Sequence, residues 1–145
     1  MLRRLALTAV ASAAALSAVP ATAHATTAHA GAHIVAPTDR LTITFTEAGS
    51  EGDGTYELEC HPTGGTHPDA ADACARLDEV TVYGTDPFAP VAPDTMCTMV
   101  YGGPATAHIT GTWQGRPVDA AYDLHNGCEI ARWHALEPVL PATSA

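Results

Sequence analysis

From residue 41 the chain alternates apolar and polar side chains one for one: Leu41-Thr42-Ile43-Thr44-Phe45-Thr46. This is the period of a strand with one buried face. After a Gly-, Asp- and Ser-bearing stretch over 47–54, alternation resumes in Thr55-Tyr56-Glu57-Leu58-Glu59-Cys60, with Tyr56, Leu58 and Cys60 on one face. Two such runs across a short loop predict an antiparallel hairpin. Pro62 to Thr66 reads as a Gly-Gly turn, and His67-Pro68-Asp69 as a helix start with proline at the first helical position. Ala70, Cys74 and Leu77 then share one helical face, which lies over the sheet. Residues 83–93 carry Pro87, Pro90 and Pro93 and read as irregular. Two further strands are predicted at 106–113 and 117–122, joined by a turn at Gln114-Gly115-Arg116. Asn126-Gly127 is a turn signal, and periodicity does not choose between helix and strand for 129–134. An antiparallel sheet carrying one clear helix is an α+β domain.

The first 25 residues follow a different pattern. Arg3 and Arg4 precede an apolar run over 5–19, Pro20 breaks it, and Ala23-His24-Ala25 has the small-x-small form of a signal peptidase site. Competing sites extend as late as residue 30. The run is shorter than the roughly 20 apolar residues of a membrane span, so residues 1–25 are expected to be a cleaved signal peptide. Residues 31–145 then form one exported domain with a flexible arm to about residue 38.

Beyond Ala30 the chain sets four arginines (Arg40, Arg76, Arg116 and Arg132) against 16 acidic residues, with no lysine, a net charge of −12. Such a surface repels phosphate backbones and anionic lipid, which argues against nucleic-acid and membrane partners. Four cysteines, Cys60, Cys74, Cys97 and Cys128, fit two disulfides in an oxidising compartment. Three pairings are possible from sequence alone. Cys60-His61 with His67 and Cys74 are zinc-ligand types, but exported cysteines prefer disulfides and the spacing fits no zinc module. A hydrolase is disfavoured because Gly-x-Ser-x-Gly is absent and serine after the leader is limited to Ser50 and Ser144. No catalytic residue, metal or cofactor is expected.

One segment remains distinctive: Met96-Cys97-Thr98-Met99-Val100-Tyr101-Gly102-Gly103-Pro104. Two methionines three apart read, in isolation, as core. Here a cysteine anchors one end and Gly-Gly-Pro opens the other, which makes an apolar segment held out on a loop.

Five motifs in order give this pattern a family. Gly-Thr-His-Pro (65–68), Ala-Cys-Ala-x-Leu (73–77), Met-Cys-x-Met-Val-Tyr (96–101), Gly-x-Trp-Gln-Gly (111–115) and Asn-x-Cys-Glu (126–129) accompany four cysteines at matching places. The chain resembles the Streptomyces subtilisin inhibitor family from about Leu41 onward. The resemblance implies a five-stranded antiparallel sheet with two helices, disulfides Cys60–Cys74 and Cys97–Cys128, and a homodimer formed through the sheet. It also implies a secreted inhibitor of subtilisin-like serine endopeptidases whose reactive bond is Met99–Val100. Thr98 stands where this family usually has proline, Gly102-Gly103 replaces an acidic residue and proline, and 80–94 matches poorly.

On this reading Met99 enters the protease's primary specificity pocket, apolar and adaptable as its thioether is. Subtilisin-like and chymotrypsin-like pockets suit it, whereas trypsin-like pockets hold a buried acid that it leaves unpaired. Met96 fills a second apolar pocket, Tyr101 packs on the leaving-group side, and Thr95, Cys97, Thr98 and Gly102 complete the contacting loop. Asn126 and Trp113 are expected to support it. Thr98 and Gly102-Gly103 add backbone freedom relative to proline, which predicts weaker or more temporary inhibition. The other reading is a non-inhibitory secreted binding or structural protein on the same scaffold.

Overall fold

The computed structural model describes residues 39–49 and 52–142. The signal segment and the arm lie outside the described residues. Five strands form a single antiparallel sheet: β1 (Asp39–Thr46), β2 (Gly54–Cys60), β3 (Gly64–Gly65), β4 (Thr106–Trp113) and β5 (Arg116–Tyr122). Their spatial order is β3-β2-β1-β4-β5. Two helices, α1 (Ala70–Val80) and α2 (Gly127–Ala135), complete the architecture. The fold is the expected α+β domain with both disulfides in the sequential pairing, Cys60–Cys74 and Cys97–Cys128.

Alternation decides which way the sheet faces. On β1, Leu41, Ile43 and Phe45 are buried while Arg40, Thr44 and Thr46 are exposed. Register carries this across the sheet: Ile43 lies opposite Tyr56 on one side and Ile109 on the other, and Ile109 opposite Ala120. Directly opposed residues share a face, so one buried layer runs from Leu58 through Leu41, Ile43 and Ile109 to Ala120 and Tyr122. Ala73, Cys74 and Leu77 of α1 and Trp133 of α2 join that layer. The irregular 81–105 segment contributes Phe88 and Ala105, and the C-terminal Leu136, Val139 and Leu140 close the core. Trp133 fixes this closing segment by donating from Nε1 to the Pro141 carbonyl at 2.8 Å.

Three local expectations need correction. Gly64-Gly65 is more than a turn: it pairs with Leu58 and Glu59 as the short edge strand β3. Gly65 sits at φ +96°, and a Cβ there would lie 2.1 Å from the Glu57 carbonyl oxygen, so only glycine allows this approach. Pro68 precedes α1 rather than opening it, since the helix starts at Ala70. Asp69 marks the break, its backbone at φ −112° and ψ 41° outside the helical region. Buried His67 just before it accepts from Asp69 N–H at Nδ1 (3.2 Å) and pairs through Nε2 with the Val139 carbonyl at 3.1 Å. Finally, Asn126-Gly127 opens a helix. The Asn126 side chain accepts from the backbone N–H groups of Cys128 and Glu129, an N-cap that settles 129–134 as part of α2. Among the described residues no helix is long and apolar enough to cross a membrane.

Candidate functional site

The large apolar side chains that escape the core are concentrated in one place. Met96 is 97% exposed and Met99 96%, and Val100 and Tyr101 beside them are also exposed. Apart from this quartet, only Val82 and Tyr83 are large, apolar and exposed among the described residues. Burying such side chains is worth about 1.5–3 kcal/mol each, so a sequence that holds four of them out together forgoes that stabilisation at this one place.

The segment is held from both sides by the chain around α2. Cys97 is bonded to Cys128, with Cα atoms 5.3 Å apart. The start of α2 supplies a second clamp. A helix leaves its first N–H groups without intrahelical partners; Asn126 Oδ1 takes those of Cys128 and Glu129 at 2.9 and 3.1 Å. The N–H of Gly127 is left, and it donates to the Thr98 carbonyl at 3.0 Å. On the far side Gly102 N–H donates to the Leu124 carbonyl at 2.8 Å. Met99, Val100 and Tyr101 are therefore three consecutive residues bracketed by two backbone hydrogen bonds.

Packing tightens both clamps. A Cβ on Gly127 would lie 2.1 Å from Thr98 Oγ1, so Thr98 rests directly on a bare helix backbone. At Gly102 a Cβ would meet the Ile130 side chain at 3.1 Å and Leu124 Cβ at 3.3 Å, so this glycine is seated against α2. The freedom expected from Gly102-Gly103 is thus restricted at its first member. Tyr101 stacks on His125, with ring centroids 6.0 Å apart and planes 15° from parallel. His125 is in turn held through its backbone N–H, which donates to Asp123 Oδ1 at 2.9 Å. Beneath α2, Arg132 pairs with Glu129 and lies 4.3 Å above the Tyr122 ring, tying the helix to β5.

The structure brings together Thr95, Met96, Cys97, Thr98, Met99, Val100, Tyr101, Gly102, Cys128 and Asn126. The expected support differs in detail. Asn126 does not reach the loop with its amide oxygen; it caps α2 and so leaves Gly127 N–H for Thr98. Trp113 lies elsewhere: its indole Nε1 donates to Thr81 Oγ1 at 2.8 Å, at the C-terminal end of α1, and its ring is 5.9 Å from His61. As the last residue of β4, it is carried to the α1 side of the core. Gly127, Leu124, His125 and Ile130 were not legible as loop partners. Their one sequence signal was the Asn-Gly pair immediately before Cys128.

The zinc-type residues are engaged otherwise. Cys60 and Cys74 are bonded to each other, and His67 is tied to Val139. His61 bridges Asp39 and Asp78 at 3.0 and 3.1 Å. The hydrogen bond to Asp39, with that to Asp78 second, raises the His61 pKa above its ordinary 6.5. Burial pushes the Tyr122 phenol up to about 12. Among the described residues no group of three or more His, Cys, Asp or Glu side chains is placed to hold a metal ion.

Comparison with known proteins gives this geometry its family. A family model described as subtilisin inhibitor-like matches residues 36–126, which span all five strands and the exposed loop. Subtilisin inhibitor-like protein 1 of Streptomyces cacaoi is 40% identical over 79 residues, 52% of this chain and 68% of that protein. Protease inhibitor SIL-V2 of Streptomyces orinoci is 37% identical over 90 residues, 61% of this chain and 81% of its own. A crystal structure of Streptomyces caespitosus sermetstatin in complex with Bacillus licheniformis subtilisin overlaps 72% of this chain and 97% of its own, at 24% identity and a TM-score of 0.42. The family match and the two sequence relatives carry the assignment. The chain belongs to the subtilisin inhibitor-like family, a family of protease inhibitors and not of enzymes.

Proposed function

We propose that this chain is a secreted, substrate-like inhibitor of subtilisin-like serine endopeptidases that offers the Met99–Val100 bond. The observation that carries the reading is the exposure of Met99 between two backbone clamps, with the disulfide one residue before Thr98. An extended segment of this kind docks as an added strand, its side chains filling alternate pockets. Met99 takes the primary specificity pocket, Met96 a second apolar pocket, and Tyr101, stacked on His125, the leaving-group side. Chymotrypsin-like enzymes, whose pocket is also apolar, are secondary targets.

Resistance to cleavage follows from the same clamps. When Met99–Val100 is attacked, the acyl half stays in place through Cys97–Cys128 and the Gly127 bond to Thr98. The amine half stays through Gly102, bonded to Leu124 and packed on Ile130. The two new ends remain adjacent, and religation competes with release. The two clamps hold the backbone on either side of the bond before binding, so less of the interaction energy of a standard interface of about 1,600 Å² is lost to ordering it. The same scaffold is proposed to dimerise through the sheet face opposite the buried layer, which carries Thr42 and Thr44 of β1 and Thr110 of β4.

Titration of subtilisin with the mature protein, followed by mass spectrometry over hours, tests the reading. Stoichiometric inhibition with any slow cut confined to Met99–Val100 is expected. Rapid cutting without inhibition would move the non-inhibitory scaffold to the front.

A further inference from the structure

Sulfur chemistry in this protein is divided between protected and open positions. The four cysteines form two disulfides, and none is free. Apart from Met1, which lies outside the described residues, the methionines are Met96 and Met99. Their side chains are 97% and 96% exposed, while the core is closed by Leu, Ile, Val, Phe, Trp and Tyr. An oxidant in solution therefore meets two open thioethers, three residues apart on the loop, before it meets a thiol or a core sulfur.

We infer that Met99, with Met96 beside it, is an oxidation site that switches inhibition off and leaves the fold intact. The inference rests on the inhibitor reading above and adds regulation to the same loop. The oxidant is hydrogen peroxide or an organic hydroperoxide. A sulfur lone pair of Met99 attacks one peroxide oxygen, the O–O bond breaks, and that oxygen stays on sulfur. The other oxygen takes up the proton and leaves as water or an alcohol; sulfur loses two electrons and the peroxide gains them. The product is a polar, chiral sulfoxide in place of a flexible apolar thioether.

An apolar specificity pocket gives that S–O group no partner, and an unpaired polar group there weakens binding roughly ten- to a hundredfold. The fold is unaffected because neither methionine contributes to the core. Tyr101, Thr98 and Gly102 keep their partners, since those bonds use His125, Gly127 and Leu124 and no sulfur. Reduction of the sulfoxide restores the thioether and with it the inhibitor.

The test treats the native chain with peroxide, locates the added oxygen by peptide mapping, and measures the subtilisin inhibition constant before and after. The Met99→Leu, Met96→Leu and doubly substituted chains run in parallel. Expected is a roughly ten- to hundredfold rise that follows Met99 sulfoxide and is reversed by methionine sulfoxide reductase, with unchanged circular dichroism. The chain with both Met96→Leu and Met99→Leu starts from its own constant, and peroxide leaves that constant within about twofold. An unchanged constant after complete Met99 oxidation overturns the inference and leaves the inhibitor reading standing. So does a Met99 that peroxide fails to modify in the native chain. A chain that inhibits no protease before treatment overturns both.

Discussion

Replacing Gly127 by alanine is the sharpest probe of how the loop is held. The new Cβ would lie 2.1 Å from Thr98 Oγ1 and 3.4 Å from Thr98 Cβ. The hydroxyl must withdraw by roughly 1.5 Å to reach ordinary contact. It does so by leaving its rotamer, at about 0.5–1.5 kcal/mol, or by pushing residue 98 off the helix and stretching the 3.0 Å bond from Gly127 N–H to the Thr98 carbonyl. Overpacking of this kind costs about 1–3 kcal/mol. In a Thr98→Ala background the offending oxygen is gone and the remaining neighbour, at 3.4 Å, is an ordinary contact. There, Gly127→Ala is neutral or stabilises by about 0.4–1 kcal/mol, because alanine restricts the unfolded chain at a helical position. The four chains of this cycle are compared by urea denaturation, by the subtilisin inhibition constant and by the rate of cutting at Met99–Val100. The expected coupling is about 1 kcal/mol or more, near fivefold in the constant. Equal effects of Gly127→Ala in both backgrounds, within about 0.5 kcal/mol, would refute the idea that this close approach sets the loop.

Three further outcomes are expected. Replacing Cys97 and Cys128 by serine opens a crosslink of sequence separation 31, and on the chain-entropy account removes about 3.7 kcal/mol of stability; urea midpoints check this. Mass spectrometry should show that chain cut and released at Met99–Val100 rather than religated. Met99→Lys places a cation where an apolar pocket receives it, so subtilisin inhibition falls roughly tenfold or more while trypsin inhibition appears; parallel titrations decide. The His61 pKa is raised above 6.5 by its carboxylate partners, so its contribution to stability is complete below that pH and is lost as pH rises through the raised value. Thermal midpoints between about pH 5 and about pH 9 should therefore fall for the native chain relative to His61→Gln, and parallel curves would remove His61 from the account.

How much of this was legible in the sequence depends on the distance over which each signal acts. The period-two runs at 41–46, 55–60 and 106–113 specify strands because alternate side chains face opposite sides whatever the rest of the chain does. The hairpin turn at Gln114-Gly115 and the small, alanine-rich face of α1 are equally local. The exposed methionines were legible because Cys97 and the Gly-Gly-Pro run flank them within a few residues. The signals that failed were those with two local meanings. Asn-Gly serves a tight turn or a helix cap equally well, and only the buried Trp133 and the carbonyl of Thr98 decide for the cap. Gly64-Gly65 reads as a turn until β2 offers an edge to pair with. Pro68 looks like a helix start until Asp69 leaves the helical region, at φ −112° and ψ 41°.

The chain by itself therefore determined the strands, the first helix, the two-disulfide framework and the exposed Met96–Tyr101 segment, because these rest on residue type and short-range period. The tertiary structure decided the pairing of the cysteines, the edge strand β3, and the clamps on the loop, in which Gly127 meets Thr98 and Leu124 meets Gly102. It also moved Trp113 from the loop to the end of α1. Apart from Cys60–Cys74, whose partners are 14 residues apart on different elements, each of those outcomes depends on groups more than 20 residues apart or on a backbone approach that only a neighbouring element creates. No periodicity encodes such contacts; they exist once the shared core under β1 and β4 has fixed where the two helices lie.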